Sequence, residues 1–123
     1  MPTRRAVTAA ALATLIPGTA MAADAPEKYA LLGKMIAQPG QRDALIAILL
    51  EGTTAMPGCL LYILSTAPAE PDALWINEVW QSRQHHADSL KLPAVQAAIA
   101  RGRPLIAGFG ERFEMTPVGG VGL

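Results

Sequence analysis

Ala73–Pro93, ALWINEVWQSRQHHADSLKLP, is the stretch on which the reading of this chain turns. It holds both tryptophans, both histidines and an acid, Glu78, set inside an apolar run. Its first half, Leu74 to Trp80, is rich in aromatic and branched residues and predicts a strand. Strand side chains alternate between faces, so Glu78 and Trp80 share one face and Trp75 and Asn77 the other. Ser82 stands where a helix N-cap belongs, because its hydroxyl can accept from an amide about three residues on. The helix that follows carries His85, His86 and Ser89. Polar chemistry is expected where this strand hands over to this helix.

Working outward, Leu60–Leu64 predicts a strand that pairs antiparallel with Leu74–Trp80 across the polar, proline-containing loop Thr66–Ala73. Upstream, Tyr29–Ala37 is an apolar run of strand length with Lys34 its only charge, closed by Pro39-Gly40. Arg42 to Thr53 predicts a helix whose apolar stripe is Leu45, Ile46, Leu49 and Leu50. Downstream, the helical pattern runs from Ser82 to Arg101 and is split by Pro93, which fits a helix's first turn but not its interior. Phe109–Thr116 is the last strand, with Phe109, Phe113 and Met115 expected on one face, and a glycine-rich tail follows. The order β-α-β-β-α-β predicts an α+β fold, a ferredoxin-like sandwich with helices on one face of an antiparallel sheet. Leu31, Ile63, Val79 and Phe113 place apolar side chains on both sheet faces. The face without helices then needs a partner, and a homodimer through the sheet faces is the simple answer.

The length of 123 residues suits one domain after a leader. Arg4-Arg5, an apolar run from Ala6 to Ile16, Pro17-Gly18 and Ala20-Met21-Ala22 together read as a cleavable export signal over residues 1–22. The apolar run is shorter than the roughly 20 residues that span a bilayer. Thr3–Val7 also resembles a twin-arginine signal, so both export routes stay open. Residues 23–123 form the mature domain, expected in the periplasm or outside the cell, with no membrane contact after cleavage. The full chain has ten basic and ten acidic residues; without the leader's two arginines the mature domain carries a formal charge of −2. A composition 51% hydrophobic and 16% charged supports a packed core. No basic patch points to nucleic acid. Cys59 is the only cysteine, which excludes an internal disulfide, and its apolar surroundings predict a buried, inert thiol.

His85 and His86 point about 100° apart on a helix, so they cannot chelate one metal together, and no metal site is expected. One is expected to face inward and the other solvent; which is which stays open. A histidine is the side chain best suited to proton transfer near neutral pH. Glu78, on a buried face, needs a partner, and Arg83, Arg101 and Arg112 are the candidates. Of Trp75 and Trp80, one belongs in the core or an interface and the other near a cavity. Nucleotide-loop, dinucleotide, serine-hydrolase and dithiol motifs are absent from the sequence.

The mature length, the element order, Met56-Pro57-Gly58-Cys59 leading into strand two, Glu78-Val79-Trp80 followed by a helix, and Arg103–Phe109 after the last helix resemble the antibiotic biosynthesis monooxygenase family. The resemblance implies a dimeric α+β barrel, including quinol monooxygenases, that oxidises electron-rich aromatic substrates with O2, typically without flavin or metal. It implies catalytic roles for Glu78 and for His85 or His86, and walls of an aromatic pocket built by Trp75, Trp80, Asn77 and Tyr62. The expected partners are a small aromatic substrate, O2 and a second copy of the chain; the expected cofactors are none. Many members carry a histidine nine residues after the tryptophan, where this chain has Ser89; its histidines come one turn earlier. Haem-degrading relatives use an asparagine on strand one, which Tyr29–Ala37 lacks. The alternative is an exported, non-catalytic module that binds a small hydrophobic or aromatic ligand, which Ser89 favours.

Overall fold

Tyr29–Ala37 forms β1, and its neighbours on either side are the third and fourth strands, not the second. The computed structural model describes residues 27–123; the expected export signal lies outside them. β1 is followed by α1 (Arg42–Gly52), β2 (Cys59–Ser65), β3 (Ala73–Trp80), α2 (Arg83–Ser89), α3 (Pro93–Gly102), a single 3₁₀ turn (Arg103–Leu105) and β4 (Ile106–Met115). The sheet order is β2-β3-β1-β4 and each neighbouring pair is antiparallel. This is the α+β ferredoxin-like arrangement that the sequence predicts.

Local chemistry sets the boundaries. Ser82 caps α2 in extended backbone, accepting from the amide of His85 at 3.2 Å. Pro93 opens α3 at its first turn, where its missing N–H breaks no bond. The two longer helices cross where Gly52 meets α3. A Cβ at Gly52 would lie 2.4 Å from that of Ala98 and 2.9 Å from the carbonyl oxygen of Ala94, so only glycine permits the approach.

The helices cover the sheet face that carries Tyr29, Leu31, Met35, Leu74 and Trp80. The core has two parts, Ala37, Leu45, Leu49 and Leu74 at one end of the strands and Tyr29, Leu31 and Trp80 at the other. The expected α1 stripe is wider than the real one. Leu45 and Leu49 are buried and Ile46 packs beside them, but Leu50 is exposed, because α3 contacts α1 along the line that ends at Gly52. The other sheet face is not covered by any of the described residues and leaves Ile63 (48% exposed) and Phe113 (49% exposed) in the open.

Bulges edit the alternation at two places that matter. In β2, Cys59 opposes Trp80 while Leu61 opposes Val79, so Leu60 is the extra residue and Tyr62 comes to face Glu78. In β4, Arg112 opposes Gly33 but Phe109 opposes Met35, so Gly110 and Glu111 together face Lys34. The extra residue turns Phe109 onto the helix side, where it meets Met35. Phe113 and Met115 stay on the open face. The expectation that all three share one face is therefore corrected.

Candidate active site

At the Tyr29–Trp80 end of the sheet, β3 and α2 bring together most of the residues singled out from sequence. Trp80 is fully buried and its indole N–H donates to Glu78 Oε1 at 2.9 Å. The two are neighbours on one face of one strand, so the pleat itself aims the donor at the carboxylate. His86 projects from the first turns of α2 into the same space. Its Nε2 lies 3.9 Å from Glu78 Oε1. Its ring meets Trp80 edge-on at 5.6 Å between centroids and Tyr29 at 5.5 Å. A cavity of about 150 Å³ between sheet and helices is bordered by Glu78, Trp80, His86, Tyr62 and Ser89 among apolar neighbours.

Burial controls the charge states here. Removal from water raises the Glu78 carboxyl above its usual range, while the indole N–H and the charge of Arg112 pull it partly back. Burial lowers the His86 imidazolium, helped by the charges of Arg112 and Arg83 and opposed by Glu114. Near neutral pH the imidazole is thus a free base. Tyr62 is also pushed up, by burial first and then by the Glu78 charge, so its phenol keeps its proton.

The expected arginine partner for Glu78 is not what the fold supplies. Arg83 pairs with Glu114 at 2.9 Å and Arg101 with Glu51 at 2.9 Å. Arg112 approaches Glu114 at 4.0 Å and acts on Glu78 through its field. The carboxylate is held by an indole and faced by an imidazole, which leaves it available for proton chemistry.

His85 has a different fate. Its Nδ1 lies 2.7 Å from the cap hydroxyl of Ser82. Its ring covers Gly58, where a Cβ would come within 2.2 Å of the imidazole and where φ is +81°. It closes the joint between β2 and α2 on the side away from the cavity. Trp75 and Asn77 lie on the open sheet face. Trp75 sits under the Lys34 ammonium, 5.6 Å from its ring centroid, and Asn77 is exposed. Neither lines the cavity. Cys59 is half-buried beside Trp80, its thiol raised by burial. Among the described residues no group of three or more His, Cys, Asp or Glu is arranged to hold a metal ion.

Two further residues touch His86, Ser89 from within the cavity wall and Tyr29 from beside it. Ser89 is buried to 4% exposure, and its hydroxyl donates to the His86 carbonyl oxygen at 2.6 Å. Tyr29 packs on His86 while its hydroxyl donates to Glu114 and Arg83 stacks on its ring at 4.4 Å. The signal for Tyr29 is its register opposite Trp80, which depends on the pairing of β1 with β3.

The same architecture occurs in known proteins. A Chloroflexus aurantiacus J-10-fl protein carrying an antibiotic biosynthesis monooxygenase designation is 61% identical, over 76% of this chain and 95% of its own, with a TM-score of 0.74. A Caulobacter crescentus CB15 protein of the same designation aligns over 76% of this chain and 92% of its own at 19% identity and a TM-score of 0.69. A Mycobacterium tuberculosis protein aligns over 76% and 98% at 21% identity and 0.65. The last two show the fold alone. No curated protein matches the chain. The antibiotic biosynthesis monooxygenase family model matches residues 29–101, a span that contains the Glu78–Trp80 step, His86 and the helix that carries it. The chain belongs to the antibiotic biosynthesis monooxygenase family.

Proposed function

We propose that this protein is an exported, cofactor-independent monooxygenase that oxidises a quinol or a polycyclic phenol with O2. One observation carries the reading: a neutral imidazole and a desolvated carboxylate, 3.9 Å apart, face an apolar cavity walled by Trp80 and Tyr62. Deprotonating a phenol raises its electron density until it can reduce O2 directly. The protein must then supply a base, an oriented ring and exclusion of water. Here His86 takes the phenolic proton, and Glu78 stabilises the imidazolium that forms. The reaction balances without an outside reductant. A quinol and O2 give a hydroxyquinone and water, one oxygen atom entering the ring and the other leaving as water.

The active form is a homodimer joined through the open sheet faces, supported by the exposed Ile63, Phe113 and Met115 there. Residues 1–22 direct export to the periplasm or beyond, on the pattern of Arg4-Arg5, the apolar run and Ala20-Met21-Ala22.

Oxygen uptake by the mature protein with a panel of quinols and anthrone-like phenols, no cofactor added, tests the chemistry. Turnover should exceed autoxidation. It should fall at least about a hundredfold in His86→Ala, the scale of a lost general base, and persist in His85→Ala. Equal loss in both histidine variants would sink the assignment of His86. A second reading, a non-catalytic binding module, is favoured by Ser89, whose hydroxyl is committed to a backbone carbonyl and cannot act as a base. That reading predicts ligand binding by a folded protein with no uptake on any substrate.

A further inference from the structure

The inner cavity is not the largest space on the helix side of the sheet. A cleft of about 680 Å³ lies beyond it, between α1, α3 and the start of β4. The two spaces share Met35, Leu49, Ala98 and Ile99 as walls. Met35 is unbranched and turns about three side-chain bonds, so it is the most adaptable piece of that shared wall. The inner cavity, at about 150 Å³, holds little more than a ring or two, whereas small-molecule sites run from about 300 to 1,000 Å³. The outer cleft is lined almost wholly by apolar side chains, and Phe109, 71% exposed, stands at its margin. The β4 bulge is what puts Phe109 there.

Among the described residues, Arg103 is the only charged one bordering the outer cleft. Among the described residues it makes no ion pair, whereas Arg42, Arg83, Arg101 and Arg112 each have an acid within 4.0 Å. It lies in the 3₁₀ turn that precedes Ile106. Ile106 pairs with Ala37, and Glu78 pairs with Leu31. Six residues of β1 therefore separate the two ends, a span of about 20 Å at ~3.3 Å per residue.

We propose that the substrate is a two-part molecule: a phenolic head that enters the inner cavity, and an apolar arm that lies in the outer cleft and ends in a carboxylate paired with Arg103. The inference rests on the reading of the inner cavity as the place where the phenol is oxidised. An armless quinol would fill the smaller space and leave the larger one wet. The arm supplies the binding that holds the head against His86 and Glu78, which is how remote contacts serve a reacting centre. The carboxylate sets direction, because Arg103 borders the outer cleft whereas the inner cavity is bordered by the Glu78 carboxyl.

Calorimetric titration with hydroquinones bearing straight alkyl arms of graded length, each made with a methyl or a carboxylate end, tests this. Affinity should rise about three- to fourfold per buried methylene until the arm nears the span of the cleft. At that length the carboxylate should add about fivefold, and Arg103→Gln should remove that increment while sparing the methyl series. Ala107→Trp, an exposed position bordering the cleft, should abolish the gain from the arm and leave the armless quinol unaffected. Equal affinity for armed and armless quinols overturns the inference and leaves the oxygenase reading intact, as does a carboxylate increment that survives Arg103→Gln. Failure of every quinol to bind, armed or armless, overturns both.

Discussion

The two faces of the sheet are built from the same four strands and are chemically unlike. The face beneath the helices buries Trp80, Leu74 and Leu31 and then tolerates a carboxylate, an imidazole and a phenol among them. The open face keeps Trp75, Asn77, Ile63 and Phe113, with Lys34 tied to Glu70 across it. β3 contributes to both through simple alternation. The difference teaches where polar groups change character. On the inner face they are stripped of water, and their protonation shifts. On the open face they stay solvated within one chain, and the apolar groups are the ones left without a partner.

The largest way to break this contrast is to truncate its tryptophans. Trp80→Ala should cost about 4 kcal/mol in urea unfolding, the usual scale for a large aromatic lost from a core, and it strips Glu78 of its donor. Trp75→Ala, half-buried on the open face, should cost about 1 to 2 kcal/mol. Equal costs would mean that the open face is as tightly packed as the covered one.

An intermediate effect separates assembly from chemistry. Phe113→Glu should convert the expected dimer to a monomer in sedimentation velocity at micromolar concentration, because a charge in an apolar interface is not compensated. The near-ultraviolet dichroism of Trp80 should survive. Monomeric wild-type protein would remove the open face from any role in self-association.

The smallest effect is electrostatic, and its sign is fixed by burial. A carboxyl raised in the fold, as Glu78 is, binds its proton more tightly there than in the unfolded chain. Its contribution favours the fold at low pH and is lost as pH rises through the folded value. Glu78→Gln should therefore stabilise the protein at neutral pH, with the gain shrinking to nothing in acid. His86 is lowered. The stability linked to it is present above its ordinary pKa of 6.5 and is lost as pH falls from there toward the folded value. His86→Gln should flatten that loss. Thermal melts from pH 4 to 8 check both, and a Glu78→Gln variant less stable at pH 7 would show that the carboxylate is well solvated after all.

Much of this was legible in the residues. The helix cap at Ser82, the break at Pro93 and the sharing of one face by Glu78 and Trp80 all depend on local chemistry, and they stand as the sequence predicts. The choice between His85 and His86 was also within reach. With Ser82 at the cap, His85 falls at the position whose side chain reaches back to the cap, which leaves His86 for the interior. What was not legible depends on pairing. The bulges at Leu60 and at Gly110-Glu111 shift the frame of β2 and β4, and glycine carries no side chain to mark a face. Read alone, α1 puts Leu50 in the apolar stripe; only the crossing with α3 shows which line of the helix is covered. The arginine expected beside Glu78 was a fair electrostatic demand that the indole of Trp80 met instead.

The β4 bulge has a consequence for how this chain can diverge. Three bases in the gene, the codon for Gly110, supply the extra residue of the bulge. Loss of that codon would bring the strand back to plain alternation and leave Phe109, then three positions before Phe113, opposite Met35 on the helix side at the margin of the apolar cleft. A single in-frame deletion would thus straighten the strand and keep both apolar surfaces as they are, without replacing any residue that touches Glu78 or His86.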